Sequence, residues 1–448
     1  MAHHSSRSKP NRRRTTRGAG EPAGHPGRPA RLSAAWGNRW LLLAGAAVVW
    51  LAGLAWRGGV GERFPVVYVA DTAFHYRLVV HLLESGRPLA ADPLFVQAEP
   101  RMPFRDMYPP AFHYLAAGWV RLAGWAGASR ESALYVLCAL LGSLMVPLTG
   151  WLAWRAARRA DVAVSAMLLA AAATPLVTRG AYGILRPEPF GAALVVLAAL
   201  LAADWSPHWS RGRQAVWLVV AALVHALGAG AWRLFPALAA LGVGAAVTSD
   251  WLAERRPRRL PVLLAGIAGT AAAGIACDFY LAGAPDHLLF LLPALLPAAV
   301  HMVVGSGRAC AFGVRIGATR RWAGLGAIVA LLVTAGFAVV PVLRARVIGW
   351  LGTGGVPLNE ANLYGRIVNE LQPLDLLAAF AQERWFYLPA AVAALAAVWI
   401  WRRASRPDDP FLVVAAVGYG LAALLFVRFE YVAAPFALAL LAAALRDA

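Results

Sequence analysis

Four acidic or basic features stand out by type and surroundings. The first is Asp71, in Val69-Ala70-Asp71-Thr72-Ala73-Phe74-His75-Tyr76-Arg77. A carboxylate there could hold a divalent metal or act as a base. It could equally cap the helix whose apolar pattern runs to about Glu84 and stops at Gly86. The second is Glu188, in Arg179-Gly-Ala-Tyr182-Gly183-Ile-Leu-Arg186-Pro187-Glu188-Pro189. It could pair with Arg179 or Arg186, or those arginines could form a cationic pocket for a lipid phosphate. The third is Glu370, within Tyr364-Gly-Arg-Ile367-Val368-Asn369-Glu370-Leu371-Gln372-Pro373, flanked by branched apolar residues and stopped by proline. The fourth is Arg428, which breaks the chain between two apolar stretches. Its fork of donors suits an anionic lipid head, and an interfacial anchor is the alternative.

The elements that must position these residues are apolar helices. The 448-residue chain is 60% hydrophobic, with mean hydropathy +0.58. Soluble chains are about 45–50% apolar. Apolar runs of roughly 17–22 residues recur, long enough to cross a bilayer. About twelve spans are expected, over 40–57, 133–154, 162–178, 190–205, 215–231, 234–249, 261–282, 288–304, 322–343, 386–401, 411–427 and 431–445. The expected fold class is an all-α polytopic membrane protein.

Arginine placement orients these spans. The net charge is +19. Residues 1–39 are rich in Arg, Pro, Gly and Ser, cannot build a core, and are expected to form a disordered cytoplasmic tail. That tail needs no nucleic-acid partner to explain it. Arg155, Arg158 and Arg159 follow the second span, and Arg211 and Arg213 the fourth. Arg255, Arg256, Arg258 and Arg259 follow the sixth, Arg308, Arg315, Arg320 and Arg321 the eighth, and Arg402, Arg403 and Arg406 the tenth. All then share the cytoplasmic side with the N-terminus. The stretch 109–125 would invert the later loops if it spanned, and it holds Pro109, Pro110, His113 and Arg121. It is expected to be an interfacial or re-entrant helix. The three cysteines, Cys138, Cys277 and Cys310, have no metal or redox spacing.

This topology puts a first loop (58–132), a short segment (179–188), a late loop (344–385) and Arg428 on one external face of a bacterial-type inner membrane. Features far apart in sequence thereby converge on one expected site.

The order of these motifs resembles that of oligosaccharyltransferase catalytic subunits, which are GT-C membrane glycosyltransferases. The likeness rests on Asp71 with His75-Tyr76-Arg77, on Asp92-Pro93 and Tyr108-Pro109-Pro110, on Arg186-Pro187-Glu188, on Ile367-Val368-Asn369-Glu370-Leu371-Gln372-Pro373, and on Arg428. It covers the chain from about Trp40 onward, so 40–448 is expected to be one GT-C-like transmembrane domain. The resemblance implies transfer of a sugar or glycan from a polyprenyl-(di)phosphate donor at the outer membrane edge. It implies Asp71 and Glu370 as catalytic residues, Asp71 and Glu188 as ligands of Mn2+ or Mg2+, and Arg428 as the lipid-phosphate group. His75, Arg77 and Arg186 are supporting candidates.

Two departures qualify it. Arg186 stands where the family has an acidic residue, which weakens metal binding and leaves metal-free electrostatics as the alternative. The chain ends just past the last expected span, without the soluble domain whose Trp-Trp-Asp-Tyr-Gly motif reads the acceptor sequon. The expected acceptor is therefore not an Asn-X-Ser/Thr peptide, and a partner protein could supply acceptor recognition. The competing readings are a non-catalytic binder of lipid-linked glycan, which Arg186 favours, and a transporter or flippase. The latter calls for broken helices in matching halves, and no internal repeat is visible.

Overall fold

The computed structural model describes residues 28–63, 70–89, 109–173, 176–177, 184–232, 234–252, 258–277, 409–425 and 429–445. Among these residues the regular structure is helical, with no strand. In chain order the helices are α1 (Arg28–Arg63), α2 (Ala70–Ser85), α3 (Ala111–Trp125), α4 (Arg130–Ser143), α5 (Met145–Ala157) and α6 (Ala160–Ala172). After them come α7 (Glu188–Asp204), α8 (Arg211–Ala231), α9 (Phe235–Leu252), α10 (Leu260–Cys277), α11 (Asp409–Leu425) and α12 (Glu430–Leu445).

Local chemistry sets the boundaries. Ser129 and Ser210 cap α4 and α8, accepting from the backbone N–H of Ser132 and Arg213. The expected stop at Gly86 is present: its φ is +71° and its N–H reaches Leu82 O at 3.0 Å. Asp71 is the second residue of α2 and so lies inside the first turn, not at the cap. The helix α1 begins upstream of Trp40, at Arg28, where Ala, Arg and Leu favour helix and Pro29 falls in the tolerant first turn. The expected span 133–154 divides at Leu144. Pro147 has no N–H to give Ser143, and Leu144 instead bonds back to Leu141 in a tighter turn, at 3.3 Å.

Two helical stretches are long and apolar enough to cross a membrane, Arg130–Ala157 and Arg211–Ala231. Shorter apolar helices stand at six of the seven other described span positions: Leu43–Gly59, Ala160–Ala172, Phe235–Asp250, Leu260–Ala276, Phe411–Gly420 and Glu430–Ala444; α7 stands at the seventh, 190–205. The described residues therefore do not reach the expected twelve spans. Among the described residues, the run 133–154 divides at Leu144 and the helix in the run 162–178 ends at Ala172. The expected spans 288–304, 322–343 and 386–401 lie outside the described residues, as does the late loop 344–385.

Close approach of small residues packs the bundle. On α10, a Cβ at Gly269 would lie 2.0 Å from the carbonyl oxygen of Ala222 on α8, so only glycine lets these two helices meet. Tyr419 of α11 is buried, stacks on Phe436 of α12 with ring centres 4.5 Å apart, and donates to Leu238 O on α9 at 2.7 Å.

The C-terminal end of α7 is closed by charge. Arg155 Nε meets Asp204 Oδ1 at 2.5 Å, and its Nη2 donates to Ala203 O at 2.7 Å. Trp151 donates to the other Asp204 oxygen at 3.0 Å. Arg259 also donates to Ala203 O, at 3.0 Å, and pairs with Asp250 at 2.6 Å. Two arginines read from sequence as topological charges are thus buried, and both donate to the Ala203 carbonyl, one of those that the end of α7 leaves open.

Candidate active site

At the other end of α7 lie Arg186 and Glu188. The helices α2 and α3 pack together, with Val79 and Leu82 of α2 and Phe112 and Ala116 of α3 in one buried apolar cluster. Within this apolar contact are two buried imidazoles, His75 and His113. His75 Nδ1 lies 3.0 Å from His113 Nε2, so one ring donates and the other accepts. The rings stack at 5.2 Å and 30°, with Phe112 edge-on to both. Burial pushes His75 down to about 3, helped by the positive charge of Arg186. His113 is held well below the usual imidazole range by burial and then by His75. Both rings are neutral at physiological pH.

Polar ties fix this helix pair to the bundle. Tyr76 Oη donates to Glu131 Oε1 at 2.7 Å, and this bond holds the Glu131 carboxyl below its usual range. Arg130 pairs with Glu84 at 3.6 Å. Trp119 of α3 donates to Ala133 O on α4 at 2.7 Å. The helix α3 buries Phe112, His113, Ala116 and Ala117 while exposing Tyr114, Leu122 and Trp125. Its 15 residues make about 22 Å, short of a hydrocarbon core.

Glu188 is the first residue of α7, between Pro187 and Pro189. A carboxylate there complements the positive end of the helix dipole. Glu188 and Arg186 are half-buried, with Glu188 Oε2 and Arg186 Nε shielded from solvent.

The fold therefore brings the segment before α7 to α2 and α3, and puts the Arg186 charge within reach of His75. Asp71 stands four residues before His75, one turn away along α2. Arg77 is half-buried on the same helix. Glu370 and Arg428 lie outside the described residues, Arg428 directly before the half-buried Phe429 that leads into α12. His113 was not among the sequence candidates. Its residue type within an apolar stretch is a signal, but nothing in its spacing points to a partner in α2.

Among the described residues, no three His, Cys, Asp or Glu side chains gather to hold a metal ion. Arg186 contributes a cation instead. A charge that disfavours a proton on His75 disfavours a bound cation for the same reason.

No family model and no curated protein matches the sequence. Solved structures do match. The apo crystal structure of the Archaeoglobus fulgidus oligosaccharyltransferase matches over 92% of this chain and 51% of its own, with TM-score 0.67 and 18% identity. The fold resembles that of an archaeal oligosaccharyltransferase. The same enzyme in complex with an inhibitory peptide and a dolichol-phosphate gives TM-score 0.65 at 19% identity, over 92% of this chain and 51% of that one. Its complex with Zn and sulfate gives TM-score 0.61 at 19% identity, over 91% and 49%. The chain spans about half the length of the oligosaccharyltransferase structures it matches.

Proposed function

We propose that this chain is a membrane glycosyltransferase of the oligosaccharyltransferase kind. It moves a sugar or glycan from a polyprenyl-phosphate or polyprenyl-diphosphate donor to an acceptor at the external membrane face. One observation carries the reading: motifs in the order of that family, on a chain whose fold resembles an archaeal oligosaccharyltransferase over 92% of its length. The solved relative has been captured with a dolichol-phosphate and, in another structure, tethered to an acceptor peptide containing the NVT sequon. A lipid-linked donor and a peptide acceptor follow by analogy, and the acceptor test therefore includes a sequon peptide.

In this reading the N-terminus is cytoplasmic and the outer ends of the helices meet the first loop, where Asp71 orients or deprotonates the acceptor nucleophile. Glu188 and Glu370 position the acceptor or, with Asp71, hold Mn2+ or Mg2+. Arg428 stabilises the negative charge that grows on the leaving lipid phosphate. His75, with its neutral partner His113, fixes the turn of α2 that follows Asp71. Arg77 and Arg186 add positive charge around the donor. A second reading, a non-catalytic binder of lipid-linked glycan, is favoured by Arg186 in a ligand position.

The test is transfer in vitro from a radiolabelled polyprenyl-linked sugar, with and without Mn2+ or Mg2+, to a sequon peptide or to endogenous membrane acceptors. Wild type transfers label and Asp71→Ala does not. Full activity in Asp71→Ala would remove Asp71 from the site. Binding of donor without transfer by the wild type would favour the non-catalytic reading.

A further inference from the structure

The turn that joins α7 to α8 carries an ordered cluster of aromatic and basic side chains. Trp209 lies in this turn, edge-on to Trp205 with ring centres 6.0 Å apart and to Trp217 of α8 at 4.9 Å. Trp217 donates to Leu201 O on α7 at 2.9 Å. The Gln214 side-chain amide donates to Pro207 O at 2.8 Å and to Trp209 O at 2.9 Å, which fixes the backbone of the turn. On this platform stands Arg213, its guanidinium carbon 4.0 Å from the centre of the Trp209 ring. Arg211 and Arg213 are both exposed, in the first turn of α8. Among the described residues no carboxylate pairs with either, since Asp204, the acid at this end of α7, is held by Arg155 and Trp151.

The charge has an apolar continuation. From Arg213, steps of three and four residues lead along one face of α8 to Val216, Val220 and Leu223. All three are exposed, Val216 at 64% and Leu223 at 62%. The rise from Arg213 to Leu223 is about 15 Å, half of a hydrocarbon core roughly 30 Å thick. A cation seated on an indole, above a strip of branched apolar side chains, complements a lipid with an anionic head and a chain beneath it. A guanidinium offers a planar fork of donors to phosphate oxygens, and the ring beneath Arg213 has already restricted its freedom. A zwitterionic head brings its own cation and gains less from two arginines without carboxylates. The 17 residues of α7 separate this turn from Glu188 by about 24 Å, so the cluster is distinct from the candidate active site.

We propose that the α7–α8 turn and the exposed face of α8 bind an anionic phospholipid, its phosphate on Arg211 and Arg213 and an acyl chain along Val216, Val220 and Leu223. This rests on the membrane placement in the reading above and not on sugar transfer.

The experiment places the full chain in nanodiscs of equal parts phosphatidylcholine and phosphatidylglycerol. Retained lipid is counted by native mass spectrometry, and the melting temperature is recorded for each variant. The wild type is expected to retain phosphatidylglycerol in preference to phosphatidylcholine. The double variant Arg211→Gln, Arg213→Gln is expected to lower that preference roughly tenfold. Trp209→Leu should lower it severalfold, because Arg213 loses its seat. Arg121→Gln removes an exposed arginine from α3 and should leave the preference unchanged. An undiminished preference in the folded double variant overturns the proposal, as does a wild type with no preference. If the double variant does not fold, an undiminished preference in Arg213→Gln overturns it. An equal loss in Arg121→Gln also overturns it, since retention would then follow net charge alone. Displacement of phosphatidylglycerol by an equal concentration of polyprenyl phosphate overturns the assignment to a phospholipid. A chain that retains phosphatidylglycerol through these arginines but transfers no sugar sinks the transferase reading and leaves this inference standing. A chain that transfers sugar but shows no preference sinks this inference alone.

Discussion

His75 Nδ1 and His113 Nε2 face each other at 3.0 Å, each ring neutral and buried, in a polar contact between α2 and α3. The direction of its pH dependence follows. Both folded-state values lie below the ordinary 6.5, so the unfolded state binds more protons. The stabilisation is fully present above pH 6.5 and is lost as pH falls from there toward about 3. Each pH unit in that window costs about 1.4 kcal/mol per histidine that must stay neutral. Hydrogen-exchange protection factors in α2 and α3, which divide out the pH dependence of the intrinsic rate, are expected to fall between pH 7.5 and 5. The fall should be largely absent in the double variant His75→Gln, His113→Gln.

Tyr76 ties α2 to the start of α4 through Glu131 at an exposed position. Tyr76→Phe is expected to loosen α2 by about 0.5 kcal/mol, the low end for a hydrogen bond in water's reach. The change should show as faster exchange in α2, with the amides of α7 unaffected.

Arg155 and Asp204 test the charged closure of α7. Asp204→Ala removes a carboxylate from a guanidinium that is 4% exposed, at an expected cost of about 3 kcal/mol. The double variant Arg155→Met, Asp204→Leu should melt above the single one, because it removes the stranded charge as well as its partner. Melting in detergent compares the two.

Gly269 and Gly118 give opposite results on substitution by alanine. A Cβ at Gly269 meets backbone at 2.0 Å, so Gly269→Ala must separate α8 from α10 and destabilise by about 1–3 kcal/mol. Gly118 is exposed on α3 with nothing within 4 Å of a Cβ, and Gly118→Ala should stabilise by up to about 1 kcal/mol. Equal effects at the two positions would contradict the α8–α10 contact.

Taken alone, the sequence determined the helical class, the positions of the apolar runs, the stop at Gly86 and the presence of a helix within 109–125. These follow from composition, hydropathy and turn chemistry, which act over a few neighbouring residues. It also marked His75 and Arg186 as worth attention. It did not locate the break at Leu144 and expected more full-length spans than the described helices supply. Tertiary structure alone decided that His75 meets His113, that Arg186 acts on His75, and that Arg155 and Arg259 turn inward onto Ala203. Each of these depends on how one helix is rotated against another far away in the chain. That rotation is set by the fit of many small side chains at once, and no local pattern records it.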